Sequence, residues 1–103
     1  MVWVPKKGAS EQDVGVATRY VPDTRALHFW DGAGVTMQQW RETLGIGEDA
    51  WDMYFLYDRS AKWTGPLPPV PRFWMHQLGG LDPDKSLDPD VFAAQANAAL
   101  GGR

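Results

Sequence analysis

The chain has 103 residues, 44% hydrophobic and 13% aromatic, including six Trp; this length allows one domain, residues 1–103, and this composition excludes a disordered chain. Thirteen acids against ten bases give a net charge of −3, and the bases are scattered from Lys6 and Lys7 to Arg103 without the stripe that nucleic-acid binding requires, so no nucleic acid is expected as a partner. No apolar run approaches the roughly 20 residues of a membrane span and no leader pattern opens the chain, while the complete lack of Cys removes disulfides, thiolate nucleophiles and iron–sulfur centres without fixing a compartment.

Val2-Trp3-Val4 is a short β-prone run stopped by Pro5. Ser10 is placed as an N-cap, with Glu11, Gln12 and Asp13 in the first turn of a helix reaching Tyr20. Val14, Ala17 and Val21 fall at helical spacing, and Pro22-Asp23 ends the helix. Arg25 to Trp30 reads as a strand, followed by the turn Asp31-Gly32-Ala33-Gly34. Thr36 and Gln39 have capping-box spacing, Met37, Trp40 and Leu44 mark one helix face, and Gly45 is the stop. Trp51 to Asp58 is the strongest strand signal; Met53, Phe55 and Tyr57 alternate with Tyr54 and Leu56, which predicts a central strand covered on both faces. Arg59-Ser60-Ala61 is read as a turn into a partner strand at Lys62-Trp63, and the four prolines of Gly65 to Pro71 as a stiff connector. Phe73 to Leu78 is a further strand and Gly79 to Ser86 a polar loop. Asp88 as N-cap and Pro89 at the first helical position start a last helix with Phe92, Ala96, Ala99 and Leu100 on its apolar face. The order is that of an α/β domain with a mixed sheet flanked by helices.

Trp30-Asp31-Gly32, the Thr36–Leu44 helix, Gly45-Ile46-Gly47, Phe55-Leu56-Tyr57-Asp58 and Lys62-Trp63 together resemble the second half of the thioredoxin-like thiol–disulfide oxidoreductases, in the peroxiredoxin-like and periplasmic-reductase branch. The resemblance covers roughly residues 1 to 64 and the closing helix. It implies a thioredoxin-like mixed sheet, incomplete at the N-terminus. It also withdraws the family's activity: the Cys-x-x-Cys element is missing, and about Asp52 stands where the family has its cis-proline. The implied function is a non-catalytic module that self-associates or binds a protein. An alternative is the C-terminal fragment of a longer oxidoreductase. A sheet lacking its central strand leaves two apolar edges open, which calls for strands rearranged within the chain or for a second copy. A homodimer is therefore expected, with Trp3, Trp51 and Trp74 as anchors, since Trp is enriched at interfaces.

Three constellations carry possible chemistry. His28, Asp31 and His76 could form a two-His-one-carboxylate metal site if their strand ends meet; the competing reading is a pair of hydrogen-bonded structural histidines. Asp49, Asp52 and Asp58 flank the strong strand, where paired carboxylates could do acid–base work or merely cap turns. Ser10 and Ser60 lack a nucleophile elbow, and Gly32-Ala33-Gly34 lacks the rest of a phosphate loop; no cofactor is expected. The aromatic set Trp51, Tyr54, Tyr57, Trp63, Phe73 and Trp74 is divided between core and interface.

Overall fold

The structure, a computed structural model, describes residues 1–101, the side chains of Ala17 and Tyr20 excepted. Arg103, and the place of Ala17 on the first helix face, therefore lie outside the described residues. The elements are strand β1 (Val2–Trp3), helix α1 (Gln12–Tyr20), strand β2 (Phe29–Trp30), helix α2 (Val35–Leu44), strand β3 (Met53–Leu56), strand β4 (Phe73–His76), a 3-10 turn (Pro83–Lys85) and helix α3 (Pro89–Gly101). The described residues form a small mixed α/β domain with three α-helices and two small sheets.

The expected single mixed sheet is not formed by the described residues. β1 pairs with β2 in parallel, β3 pairs with β4 antiparallel, and no strand joins the two pairs. The predicted central strand is correspondingly corrected: β3 has one strand neighbour. Local chemistry explains both the shortness of the strands and the choice of partner. Pro5 cannot extend β1, and the Val4 carbonyl is taken by the Lys6 N–H across a turn at 2.8 Å. Asp52 sits at φ 52°, a left-handed conformation that Asp tolerates better than most residues, and breaks the extended run before Met53. Lys62-Trp63 does not pair with β3; the Trp63 indole donates to the Gly65 carbonyl at 2.8 Å instead. The proline segment then carries the chain across before Phe73 supplies the partner strand.

Helix α2 follows its expected face: Met37 is buried, Trp40 and Leu44 half-buried. Its start differs. Thr36 lies inside the helix rather than capping it, and Gly34 is the N-cap at φ 69°. The Asp31 carboxylate reaches over to accept from the N–H groups of Val35 (3.2 Å) and Thr36 (2.7 Å) and from the Thr36 hydroxyl. At the other end Gly45 is left-handed, its N–H bonded to Glu42 and that of Ile46 to Arg41, the Schellman pattern. In α1, Ser10 precedes the helix and donates its N–H to Asp13 at 2.7 Å, and Glu11 takes the cap position. In α3, Asp88 accepts from Asp90 and Val91; Phe92, Ala96 and Ala99 are half-buried, and Leu100 is exposed.

Among the described residues Met37 of α2, Met75 of β4 and Leu78 are buried apolar side chains, and His76 is fully buried. Phe92 brings α3 onto the second sheet, its ring 6.4 Å from that of Tyr54 and 6.0 Å from that of Phe73. The outer edge of β4 is covered in part by a bridge from His76 to Ser86, with the Leu87 N–H on the His76 carbonyl at 2.7 Å.

Candidate functional site

The two histidines serve separate local structures. The His28 Nδ1 accepts the Trp3 indole N–H at 3.0 Å, and its Nε2 lies 3.1 Å from the Val21 carbonyl. The His76 Nδ1 accepts the Leu78 N–H at 3.0 Å, and its Nε2 lies 2.7 Å from the Asp82 carbonyl. A carbonyl can only accept, so both rings carry their proton on Nε2. Every ring nitrogen is thereby used within the protein. Asp31 is occupied at the start of α2, where burial alone would raise its carboxyl but the hydrogen bonds from Thr36, Val35 and Gly34 outweigh it and hold it below the usual carboxylate value. His28, Asp31 and His76 do not converge: among the described residues no group of three or more His, Asp or Glu is placed to hold a metal ion.

The three aspartates flanking the strong strand are also dispersed. Asp49 pairs with Arg41 at 3.2 Å, Asp58 with Arg72 at 2.7 Å, and Asp52 accepts the Tyr54 hydroxyl at 3.2 Å. Tyr54 itself is raised above its ordinary value, by burial first and by the neighbouring Asp52 charge second. No pair of carboxylates shares a proton here.

The aromatic residues are where the structure concentrates its unusual features. Trp40 stacks on Phe55 with centroids 5.5 Å apart, meets Trp63 edge-on at 5.2 Å, and donates its indole N–H to the Tyr57 hydroxyl at 2.8 Å. The Tyr57 hydroxyl in turn donates a hydrogen bond to the Pro69 carbonyl at 2.7 Å, and the Thr43 hydroxyl donates to that of Pro68 at 2.9 Å. The proline segment is thus strapped to α2 and β3, with Pro68 and Pro71 buried. Of the three proposed anchors, Trp3 lies nearly coplanar with His28, Trp51 has the ammonium groups of Lys6 and Lys7 at 5.6 and 5.7 Å from its ring, and Trp74 has Lys85 at 4.3 Å. All three are half-buried; Trp3 on β1 and Trp51 before β3 line one cavity, and Trp74 is on β4.

The feature that residue-by-residue reading missed is the space between the two sheets. Two cavities, of about 460 and 450 Å³, share Met1, Val2, Val4 and the run Trp51–Tyr54 as walls. The first is closed by Thr36 and Trp40 of α2 and by Phe92 of α3. The second is closed by Trp3, Lys6 and Ala9. The facing walls are the strand edges of β1 and β3 that have no strand neighbour. Along β1 the Met1 and Trp3 carbonyls accept from Phe29 and Asp31, so the polar backbone groups of Val2 turn to the opposite edge. Along β3 the Asp52 and Leu56 carbonyls accept from Gln77 and Arg72, so those of Met53 and Phe55 turn away from β4. The lining is aliphatic and aromatic, with Asp52 the charged residue common to both cavities. The two-sided apolar pattern of Trp51 to Asp58 is met on its faces by Trp40 and Phe92, while the open backbone edge of β3 has no signal of its own in the sequence.

A small mixed α/β domain with an apolar slot between two strand pairs is the class that fold and site define. Comparisons with protein-family models, with curated proteins and with solved structures find no match for this chain.

Proposed function

We propose that this chain is a non-catalytic, thioredoxin-like module that binds another protein through the slot between β1 and β3. The observation that carries the reading is the paired apolar cavities bounded by unpaired strand edges. Cavities of this size are typical of binding sites, and their lining is mostly aliphatic and aromatic. Surface area supports the same reading. The molecule exposes 7157 Å², roughly 1,300 Å² more than a folded monomer of this mass usually shows, and a standard interface covers about 800 Å² on each partner. The thioredoxin-like part of this reading rests on the sequence resemblance; the element order, a parallel β-α-β unit, a helix, an antiparallel strand pair and a closing helix, is compatible with it, although the strands form two sheets and not one.

The test is selection of random peptides displayed on phage against the folded chain, followed by amide and indole NMR spectra with a selected synthetic peptide. Resonances of Trp51, Met53 and Phe55 should shift. Enrichment of no peptide, or shifts confined to residues outside the slot, would remove the reading.

Self-association is a second reading, favoured by a different surface. Val2 and Phe29, register partners in the first sheet, are 46% and 57% exposed, and Leu27, just before β2, is 63% exposed. Light scattering over a micromolar dilution series tests it: a dimer gives a mass near twice 11.5 kDa at the upper concentrations, and a constant single-chain mass rules it out.

A further inference from the structure

We infer that the slot takes a single extended segment of a different polypeptide, which enters as a strand between β1 and β3, joins the two sheets into one of five strands, and carries an acidic residue against Lys6 and Lys7. The inference rests on the protein-binding reading above and names its partner chemistry.

The backbone pattern argues for a strand. Val2 on one side and Met53 and Phe55 on the other present N–H and C=O groups into the slot, since the intervening residues are committed to β2 and β4. A strand is the one polypeptide conformation that presents donors and acceptors along two opposite edges at once, and exposed edges are a known template for strand addition. The cavities argue for its side chains. Successive residues of a strand point to opposite faces, and the first cavity reaches both faces of β3, to Trp40 of α2 beside Phe55 and to Phe92 of α3 beside Tyr54. Alternate residues of the incoming strand would meet apolar side chains on either face.

Charge sets the end preference. Lys6, which lines the second cavity, and Lys7 both hold their ammonium groups near the ring of Trp51, another of its walls, and neither forms an ion pair among the described residues. A carboxylate there would meet two cations. Asp52, next to Trp51 in the lining, disfavours a second acidic residue beside it by like-charge repulsion.

A second copy of this chain is the poorer occupant. A slot with two open edges needs a strand with both of its edges free, and every strand among the described residues already has one edge engaged. The area serves a peptide as well: the excess surface of roughly 1,300 Å² is enough for one strand and its flanks, without a large flat interface.

The experiment uses peptides selected from a random phage-displayed library, resynthesised with N-methyl groups on alternate residues. N-methylation removes donors from one edge of a strand at a time. Both alternating series should bind more weakly, by about five- to tenfold for each blocked hydrogen bond, and the amide protons of Met53 and Phe55 should exchange more slowly in the unmethylated complex. Selected sequences should alternate or run apolar with an acidic residue at one end, and K6E/K7E should switch that end preference to a basic residue. Weakening in only one methylated series means that the peptide pairs with a single edge, and weakening in neither means that it does not bind as a strand; either result overturns the inference while leaving protein binding at the slot intact. Binding that leaves Trp51, Met53 and Phe55 undisturbed overturns both. Dimerisation of the free chain that itself slows Met53 and Phe55 exchange would show a second copy in the slot and overturn the choice of partner.

Discussion

At the scale of single residues, His76 is the side chain on which the second sheet most depends. It is fully buried, and its two ring nitrogens tie Leu78 and the Asp82 carbonyl into the turn that follows β4. Replacing it with Ala leaves a cavity, an unpaired N–H and an unpaired carbonyl, and should cost about 2–4 kcal/mol in urea unfolding. His76→Gln, whose amide can still reach one of these partners, should cost less; equal loss in both would mean that ring volume rather than hydrogen bonding sets the effect. Asp31 gives a pH signature. Its carboxyl is held down by hydrogen bonds that favour the charged form, so its contribution is complete above the ordinary carboxylate value and is lost as pH falls through the depressed one. Asp31→Asn, which has no charge to lose, should flatten the acid limb of the stability curve; an unchanged limb would contradict the assignment. The histidines also show what the sequence could and could not tell. Hydrogen-bonded structural histidines were one of two readings of His28 and His76, and spacing alone could not choose. The choice depends on Val21, Leu78 and Asp82 carrying backbone groups to the rings, which is tertiary geometry.

At the scale of elements, the helices were legible and the strand pairing was not. Met37, Trp40 and Leu44 at helical spacing, with Gly45 after them, state α2 locally, and Asp88-Pro89 states the start of α3. The cap of α2 lies at Gly34, two residues before the expected Thr36, because the capping carboxylate comes from Asp31, four residues before Val35, across a turn that needs Gly34 at φ 69°. A Cβ at Gly34 would lie 2.5 Å from the Met37 methyl. Gly34→Ala should therefore lower the unfolding midpoint through backbone strain and loss of the Asp31 cap, by about 1–3 kcal/mol; wild-type stability would show that the turn has another solution. Pairing of β3 failed as an expectation because the nearest β-prone segment, Lys62-Trp63, is drawn aside. Trp63 packs edge-on against Trp40, and the Pro68 and Pro69 carbonyls are held by Thr43 and Tyr57. Tyr57→Phe should release the strap at Pro69 and leave the Trp40 indole N–H without its partner. A loss of about 1–2 kcal/mol is expected, together with a change in the environment of Trp40 seen in its indole NMR resonance. An unaltered Trp40 indole would contradict this account of how the segment is held.

At the scale of the whole molecule, the chain is more open than its length suggests. Its radius of gyration is 14.2 Å, where a domain of about 100 residues usually gives roughly 13 Å, and its surface is correspondingly large. The six Trp and the two-sided apolar pattern of Trp51 to Asp58 did foretell a molecule with apolar surface to cover. They could not locate that surface, because the slot is made by the edges of strands that are 50 residues apart in the chain and by the absence of hydrogen bonds between them. The open edge of β3 is the central claim, and amide hydrogen exchange measured along this strand in the free protein tests it most directly. Tyr54 and Leu56, whose N–H groups face β4, should exchange slowly, and Met53 and Phe55, whose N–H groups face the slot, should exchange rapidly. Slow exchange at all four amides would contradict the account, because it would mean that the second edge of β3 is already paired.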